Sequence, residues 1–417
     1  MLATTSVEEI TRRLAALPGR EPRVVVSGNF ATPTVLMGAL GAARERCRVF
    51  MLNAQSSFEP HPGFISETPF VGPGMRHDPL LDYLPMRLSL VPRLFDLIRP
   101  VDAVLLHTAV PRSDTVSLGI EVNILPAAIE RVRARGGLVV AQVNSCMPFT
   151  FGDSEIPADW IDLAVEVDQP LGSPTPQPPD DAEVAIGEQV ARFADDGTTI
   201  QLGIGQIPDV AARELVARRN LGVWSELVGD GVLGLEQAGA LDHDRPVGAS
   251  FLFGSPDLYE WADANRRLRL VRTEIMNDPA RIAANPGMLS INTALQIDLF
   301  AQANASFIRG QVYSGFGGQP DFVTGALHSS GGHALVALRS WHDKSDSSTV
   351  LPVLSSPATS FQHSAIVSEH GCAEMFGRSQ HSQARLLIEQ VADPRARSQL
   401  SETAGALGLL RAGAGVG

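Results

Sequence analysis

The sequence predicts an α/β protein with two similar open α/β domains, on three observations. Short β-rich runs alternate with amphipathic segments of helical spacing, a pattern typical of a largely parallel sheet covered by helices. The two halves open with the same succession of strand, glycine turn, proline five residues later, and helix. A proline-rich stretch without apolar side chains, residues 172–181, separates the halves and reads as an extended linker.

The elements of the first half follow in order. An amphipathic helix is predicted within residues 1–17. A strand at 23–27 leads to Gly28, and Pro33 stands near the start of the next helix. Strands are predicted at 49–52, 103–106 and 138–143, with a helix at 124–135 that ends in two glycines. We therefore predict an N-terminal α/β domain over residues 1–172.

The second half repeats this opening. A helix at 186–193 precedes a strand at 198–202, Gly203, Pro208 with its helix, and a strand at 222–227. The repetition indicates a diverged internal duplication, although strand–glycine–helix units are common in α/β proteins and coincidence is the alternative. Residues 173–181 are then a linker and residues 182–417 a C-terminal domain. The ligand crevice of such sheets lies beyond the carboxyl ends of the strands.

Composition excludes several classes of function. The 417 residues include 33 Lys and Arg against 46 Asp and Glu, a formal net charge of −13. Nucleic acid is therefore not expected as the main partner, because phosphate binding needs clustered cations. There is no apolar run of about 18 residues, so no membrane span is expected. Three widely spaced cysteines predict neither a disulfide framework nor a thiolate zinc site, and a cytoplasmic location fits.

Familiar catalytic motifs are missing from the sequence. Lys344, in a polar run, is the one lysine and a poor place for the desolvated amine of a Schiff base. No P-loop, G-x-S-x-G or H-E-x-x-H motif occurs. The glycine runs at 203–208 and 315–320 begin as G-x-G but end in proline, so both are poor dinucleotide-binding motifs.

One carboxylate stands out by its surroundings. Alternation in the strand at 222–227 places Trp224, Glu226 and Val228 on one face, before a Gly-Asp-Gly turn. If that face is buried, desolvation raises the pKa of Glu226 and makes its ionised form a better nucleophile. The alternative is that Glu226 points to solvent from an edge strand.

Three weaker signals accompany it. The glycine-rich segment 314–322 could bring backbone N–H groups to an anion, or be an ordinary surface loop. Asn292 lies inside an apolar strand, and Glu369 lies at the end of the strand 365–367. A satisfied core amide and an ordinary strand-end turn are the respective alternatives.

Taken together and in order, these motifs resemble the acetyl-CoA hydrolase/transferase family, a branch of the class I CoA-transferases that includes 4-hydroxybutyrate CoA-transferase. The resemblance covers nearly the whole chain. The matching segments are 26–33, 70–73, 88–95, 117–119, 141–144, 165–168, 203–208, 225–231, 290–298, 315–322 and 368–371.

The resemblance implies two domains of the NagB/RpiA/CoA-transferase type and a ping-pong transfer of coenzyme A from an acyl-CoA to a carboxylic acid. It makes Glu226 the covalent nucleophile, Asn292 an amide that contacts the reacting carboxylate, and Glu369 a second nearby glutamate. It also makes the glycine loops the source of oxyanion donors and coenzyme A contacts; these residues are Gly203, Ile204, Gly205, Gly315, Gly317 and Gly318. No metal or organic cofactor is implied, coenzyme A being a co-substrate, and a homodimer is expected.

The chain departs from the family pattern where Phe149 and Phe376 replace arginines and Gln206 replaces a small residue. These changes suggest a larger, more apolar acyl pocket. The candidate pocket residues are Phe149, Phe151, Gln206, Trp224 and Phe376.

Three alternatives stay open. In an acyl-CoA hydrolase of the same fold, water would resolve the glutamyl intermediate. A non-catalytic acyl-CoA-binding relative is favoured by the lost arginines, but Glu226, Asn292, Glu369 and the glycine loop argue against it. A sugar-phosphate isomerase of similar fold lacks support, because the motifs present are those of the CoA-transferases.

Overall fold

A computed structural model of the protein describes residues 2–96, 98–358, 360 and 362–410. Its architecture is α/β, with two large sheets flanked by helices. One cluster of buried apolar side chains includes residues of both halves, for example Leu106 and Ile200. The two halves therefore share part of their core.

The first half contains a seven-stranded, fully parallel sheet in the order β10-β7-β5-β1-β2-β3-β4. Its apolar strands, above all β5 and β7, are buried along their length, as expected of parallel strands covered on both faces. The strands of this half are β1 (Arg23–Val26), β2 (Cys47–Phe50), β3 (Phe64–Thr68), β4 (Leu81–Tyr83), β5 (Ala103–Thr108), β6 (Thr115–Ser117), β7 (Leu138–Asn144), β8 (Phe151–Gly152), β9 (Glu155–Pro157) and β10 (Leu163–Val167).

The second half contains most of a nine-stranded sheet in the order β27-β26-β22-β17-β11-β12-β14-β16-β8, parallel except for the β26–β27 pair. Its strands are β11 (Thr199–Leu202), β12 (Gly222–Trp224), β13 (Leu227–Val228), β14 (Val247–Ala249), β15 (Phe251–Leu252), β16 (Leu268–Leu270), β17 (Met288–Thr293), β18 (Gln296–Asp298), β19 (Ala303–Asn304), β20 (Phe307–Ile308), β21 (Gln311–Val312), β22 (His333–Ala337), β23 (Trp341–His342), β24 (Ser347–Ser348), β25 (Val350–Leu351), β26 (Ala365–Ser368) and β27 (Gly371–Glu374). The strands outside the two large sheets pair in small two- and three-stranded sheets.

The helices lie between the strands as the sequence predicts. They are α1 (Val7–Ala15), α2 (Thr34–Ala43), α3 (Leu125–Ala134), α4 (Asp181–Ala191), α5 (Gln206–Glu214), α6 (Asp230–Gln237), α7 (Pro256–Ala262), α8 (Thr273–Met276), α9 (Pro279–Ala283), α10 (Gln319–His328), α11 (Gln380–Leu386) and α12 (Pro394–Ala406). Short 3₁₀ turns occur at Asn29–Ala31, Pro73–Met75, Leu88–Phe95, Ala158–Trp160 and Asp343–Ser345, and a π-helical turn at Leu387–Val391. A capping box between Asp180 and Glu183 starts α4, just after the proline-rich stretch.

The two sheets repeat the same arrangement around their opening strands. β1 lies between β2 and β5, and β11 lies between β12 and β17, all in parallel. This agrees with the predicted fold class of two similar α/β units. The exact domain boundaries stay a prediction, and one strand crosses them: β8, from the first half, pairs with β16 at the edge of the second sheet.

None of the helices in the described ranges is both long enough and apolar enough to cross a membrane. The longest, α12, has 13 residues.

Candidate active site

A cavity of about 320 Å³ lies between the two halves of the chain, and Glu226 lines it. Part of its wall comes from residues at or shortly after the carboxyl ends of parallel strands of both sheets, as the crevice rule for α/β sheets predicts. These residues include Asn29 after β1, Asn53 after β2, Gly203 after β11, Glu226 after β12 and Asn292 at the end of β17.

The strand that carries Glu226 is interrupted at this residue. The sequence predicts one strand over 222–227, whereas the structure has β12, a break at Ser225–Glu226, and β13. The reason lies in the neighbouring segment: the carbonyl oxygen of Glu226 accepts hydrogen bonds from the backbone N–H groups of both Ser250 and Phe251, at 2.8 and 3.0 Å. The break places the half-buried side chain of Glu226 at the cavity wall.

The carboxylate of Glu226 is held by one amide. The Nδ2 atom of Asn277 donates a hydrogen bond to its Oε2 atom at 2.7 Å. Burial raises the pKa of Glu226 to about 7; the Asn277 amide lowers this pKa, and the negative charge of Asp321 raises it. A carboxylate that is ionised near neutral pH and poorly hydrated is a competent nucleophile.

Gly318 allows the backbone to pack directly on this carboxylate. A Cβ atom at Gly318 would lie 2.1 Å from Glu226 Oε2 and 2.3 Å from Asn277 Nδ2, so no larger residue fits without displacing the pair. The loop that precedes Gly318 contacts the first half of the chain, where the N–H of Val71 donates to the carbonyl of Ser314 at 2.5 Å. The glycine loop therefore joins the two halves over the reactive group.

The loop after β11 offers only some of the predicted N–H donors. The N–H of Gly203 is used, because it donates to the carbonyl of Ile291 at 2.9 Å. Among the residues that the structure describes, the N–H groups of Ile204 and Gly205 have no protein acceptor, and the same holds for Gly317 and Gly318. Gly205 has φ 128°, a conformation that favours glycine, and α5 begins directly after it.

Asn292 lines the cavity with Glu226, but its amide nitrogen is engaged. The Nδ2 atom donates to Ser290 Oγ at 2.8 Å and to Gln201 Oε1 at 3.2 Å. Asn292 therefore has its carbonyl oxygen left for a ligand. Gln201, which sequence reasoning missed, also lines the cavity.

The structure does not bring Glu369 to this cavity. Glu369 follows β26, four strand spacings from β12 in the sheet order, which is about 19 Å. Its carboxylate accepts hydrogen bonds from the backbone N–H and the Oγ atom of Ser340 instead. The expectation of a second glutamate beside the nucleophile is therefore not met by Glu369.

The candidate pocket residues also lie elsewhere. Phe149 packs on Phe151 with ring centroids 5.6 Å apart, and both are buried near the edge strand β8. Trp224 directs its indole N–H away, to the carbonyl of Met276 at 3.1 Å. Gln206 lines a neighbouring cavity under the proline-rich stretch, and Phe376 is 64% exposed. The suggestion that Phe149 and Phe376 enlarge an acyl pocket thus has no basis in the cavity wall.

Several residues of the site were not singled out as functional from the sequence. They are Asn29, Asn53, Glu121, Asn123, Gln201, Asn277 and Asp321. Asn29 and Asn53 are polar residues that come shortly after the strands β1 and β2, so the crevice rule could have found them. Asn277 could not be found this way, because it follows the short helix α8. In the described ranges no group of three or more His, Cys, Asp or Glu side chains could hold a metal ion.

We expect the rate of any reaction that uses ionised Glu226 as nucleophile to rise with pH through about 7. With a pKa of about 7, kcat/KM at pH 6 should be about one tenth of that at pH 8. Asn277→Ala removes the hydrogen bond that favours the ionised carboxylate, so the midpoint should move to higher pH. Asn285→Ala, which removes an amide that, in the described part of the chain, bonds only to the carbonyls at the end of α9, is the matched control. An unchanged midpoint in Asn277→Ala, or a flat profile between pH 6 and 8, would contradict this assignment.

Comparison with known proteins shows similarity to one family of enzymes. Residues 254–404 match the model of the acetyl-CoA hydrolase/transferase C-terminal domain. The chain is 36% identical to 4-hydroxybutyrate coenzyme A transferase of Clostridium kluyveri over 76% of each chain. It is 31% identical to a succinyl-CoA:acetate/propanoyl-CoA:succinate CoA transferase of Fasciola hepatica, over 91% of this chain and 84% of the relative.

A solved structure shows the same overall fold. The crystal structure of 4-hydroxybutyrate CoA-transferase from Porphyromonas gingivalis superposes with a TM-score of 0.82, covers 97% of both chains and is 29% identical. The fold of two α/β units is thus supported by a solved structure as well as by the sequence motifs.

Proposed function

Because this chain belongs to the acetyl-CoA hydrolase/transferase family, we propose that it transfers coenzyme A between an acyl-CoA and a carboxylic acid, with Glu226 as the covalent nucleophile. The observation that carries the proposal is the half-buried carboxylate of Glu226, with a pKa near 7, in the cavity between the two halves. Acyl-CoA and a carboxylic acid are then the substrates, and no other cofactor is needed.

The transfer runs in two matched halves. A carboxylate oxygen of Glu226 attacks the thioester carbonyl of acyl-CoA, and the C–S bond breaks. The products of this step are an acyl-glutamyl anhydride and CoA thiolate. The thiolate then attacks the γ-carbonyl of Glu226, which releases the first acid as its carboxylate and leaves a glutamyl-CoA thioester. The second acid reverses these two steps: its carboxylate displaces the thiolate to form a new anhydride, and the thiolate takes the new acyl group and restores Glu226. No net proton is consumed.

Fixed donors are required at each tetrahedral intermediate. The N–H groups of Ile204 and Gly318 are unpaired in the described part of the chain, and both residues line the cavity with Glu226. Those of Gly205 and Gly317 are also unpaired, but these two residues lie outside the cavity wall. Preorganised N–H groups of this kind contribute about 3 kcal/mol each to an oxyanion transition state. The N–H of Gly203 donates to the carbonyl of Ile291 and is therefore not free to stabilise an oxyanion.

Asn277 and Asn292 have different tasks in this scheme. Asn277 orients the nucleophile and favours its ionised form. Asn292 offers its carbonyl oxygen, because its nitrogen is bound to Ser290 and Gln201. Glu369 takes no part in the chemistry we propose, because β26 is too far from β12.

An acyl-CoA hydrolase is the second candidate, since the matching family model is named for both reactions. The two reactions share the glutamyl-CoA thioester and differ in what resolves it, water or an acid. A homodimer and a cytoplasmic location stay predictions.

A product screen tests the proposal. The purified chain is incubated with acetyl-CoA or butyryl-CoA and a panel of carboxylic acids, and the acyl-CoA products are identified by mass spectrometry. A transferase gives a new acyl-CoA that depends on the added acid, at a rate well above the release of free coenzyme A. Coenzyme A release that is independent of the acid would support the hydrolase instead. If neither a new acyl-CoA nor free coenzyme A formed, both candidates would be contradicted.

A further inference from the structure

A short segment of the first half bonds to the loop that packs on the nucleophile. The N–H of Leu88 donates to the carbonyl of Gly317 at 3.3 Å. Ser89, the next residue, donates twice to Asp321: its Oγ atom to Oδ1 at 2.9 Å, and its backbone N–H to Oδ2 at 3.3 Å. These three bonds join the 3₁₀ turn at Leu88–Phe95 to the start of α10, so they exist only while the two halves of the chain are in contact.

The bond from Leu88 sets the direction of an oxyanion donor. The carbonyl of Gly317 and the N–H of Gly318 belong to one trans peptide, in which these two groups point in opposite directions. Because the carbonyl is held toward Leu88, the N–H of Gly318 is turned away from it. Gly318 lines the cavity, and its N–H has no protein acceptor in the described part of the chain. This donor is therefore oriented before a substrate arrives.

Asp321 fixes the first turn of α10. Its side chain is buried, and its backbone N–H donates to the carbonyl of Gly318 at 3.0 Å. The carboxylate of Asp321 is thus bonded to the first half, while its backbone is bonded to the residue that packs on Glu226. Since a Cβ atom at Gly318 would overlap Glu226 Oε2, the contact is close, and a rotation of this turn would displace the nucleophile.

A buried carboxylate in this position carries an electrostatic cost. Burial raises the pKa of Asp321 to about 6, whereas the hydrogen bonds from Ser89 and the charge of Arg87 lower it. The Nη1 atom of Arg87 lies 3.7 Å from Asp321 Oδ1. The charge of Asp321 in turn raises the pKa of Glu226. An apolar side chain would avoid this repulsion, so the bonds to Ser89 are what the carboxylate adds.

Other charged groups also face these two carboxylates. Asp278, which follows α8, raises the pKa of Asp321 further. Glu121 interacts with Glu226 from the first half, and Arg76 borders the same cavity. These groups stay the same in every variant described below, so a change in pH dependence reports on Asp321.

We propose that Asp321 is a positioning residue for the reaction at Glu226: its carboxylate, bound to the first half, holds the first turn of α10 so that Gly318 packs on the nucleophile and presents its N–H group to the oxyanion. This inference rests on the proposed function, because it concerns the nucleophile of that transfer. Asp321 acts through the backbone of Gly318 and does not contact the reacting atoms. The reactive site is then complete only when the two halves are in contact.

Three variants separate the hydrogen bonds from the charge. Asp321→Asn removes the charge but can keep both bonds, since the Ser89 hydroxyl can turn to accept from the new amide. Ser89→Ala keeps the charge and removes one bond, and Asp321→Ala removes the charge and both bonds. The matched control is Ser145→Ala, which removes an exposed serine–aspartate hydrogen bond within the first half and should match the unchanged protein.

The loss of the bonds should slow both half-reactions. We expect kcat/KM at pH 8 to fall about tenfold in Ser89→Ala and about 100-fold or more in Asp321→Ala, as displacement of a reacting group by up to about 1 Å implies. The fall should be similar for the acyl-CoA and for the acid, because both half-reactions use the same glutamate and the same N–H donor. Asp321→Asn keeps the geometry, so it should stay within about threefold of the unchanged protein at pH 8.

The loss of the charge should appear in the pH profile instead. Without the charge of Asp321 the pKa of Glu226 is lower. For the acyl-CoA, kcat/KM of Asp321→Asn at pH 6 should therefore exceed about one tenth of its value at pH 8, the ratio expected of the unchanged protein. A role confined to folding would not move this ratio.

Rates are expressed per folded molecule, from the circular dichroism signal at the assay temperature. Normal rates per folded molecule in Ser89→Ala and Asp321→Ala, or a loss confined to one of the two substrates, would overturn the inference and leave the transferase intact. An unchanged pH ratio in Asp321→Asn would overturn it as well, and Ser89→Ala decides the question if Asp321→Ala does not fold. If the unchanged protein transferred coenzyme A to no acid, the proposed function would fail, and this inference with it.

Discussion

Glu226→Gln should lower turnover by about 10⁴-fold or more, as removal of a covalent nucleophile does. Glutamine keeps the shape of the side chain and its place beside Asn277 and Gly318, but its amide cannot attack a thioester. Glu226→Asp should also fail, because retraction by one methylene breaks the attack geometry. The matched control is Glu402→Gln, which changes the same functional group on the exposed face of α12.

Chemical trapping identifies the residue directly. After incubation with acyl-CoA, borohydride should reduce the glutamyl thioester to an alcohol, a loss of about 14 Da, because this thioester is electrophilic whereas a free carboxylate is not. Hydroxylamine should convert the same group to a hydroxamate, and peptide mapping should place both changes at Glu226. A label on Glu121 or Glu369, or near-normal turnover of Glu226→Gln, would show that the assignment is wrong.

Gly318→Ala should cost about 100-fold or more in kcat/KM, although it adds only one methyl group. The added Cβ atom would overlap Glu226 Oε2 and Asn277 Nδ2, so the carboxylate must move, and a displacement of about 1 Å at a reacting group costs about this much. The backbone of Gly318, at φ −87° and ψ −5°, suits alanine equally well. The effect therefore reports on the nucleophile rather than on loop strain.

Gly234→Ala is the control for this substitution. Gly234 lies in α6, and a Cβ atom there would meet nothing within 4 Å. Alanine in a helix interior should leave activity unchanged and raise the free energy of unfolding by about 0.5–1 kcal/mol. Full activity in Gly318→Ala, together with an unchanged thermal unfolding midpoint, would contradict the close packing of this loop on Glu226.

The sequence predicts the repeated sheet because the information is local. The spacing of Gly28 and Pro33, and of Gly203 and Pro208, marks the end of a strand and the start of a helix in each half, and the structure has β1–α2 and β11–α5 at these places. The apolar residues on either side of Glu226 likewise predict its partly buried position. The interruption of the strand could not be predicted, since it depends on the N–H groups of Ser250 and Phe251.

The sequence could not predict which residues share the cavity, because the order of strands in a sheet depends on contacts between distant segments. Glu369 and Asn292 both end strands of the second sheet, but β26 lies two strands beyond β17, so only Asn292 reaches the cavity. Glu121 could not be singled out either. Its oxygens accept hydrogen bonds from Asn29 and Asn123, and Asn29 lies more than 90 residues away in the sequence.

The pairing of β8 with β16 has a consequence for how the chain acquires its structure during synthesis. Phe151 pairs with Arg269, more than 100 residues later, so β8 emerges well before its partner strand exists. Closing so long a loop is entropically costly, and contacts of this separation slow folding. A fragment that begins at residue 182 would in turn leave the edge of β16 uncovered, and open sheet edges invite association with other chains. The first half therefore covers an open sheet edge of the second half as well as completing its cavity.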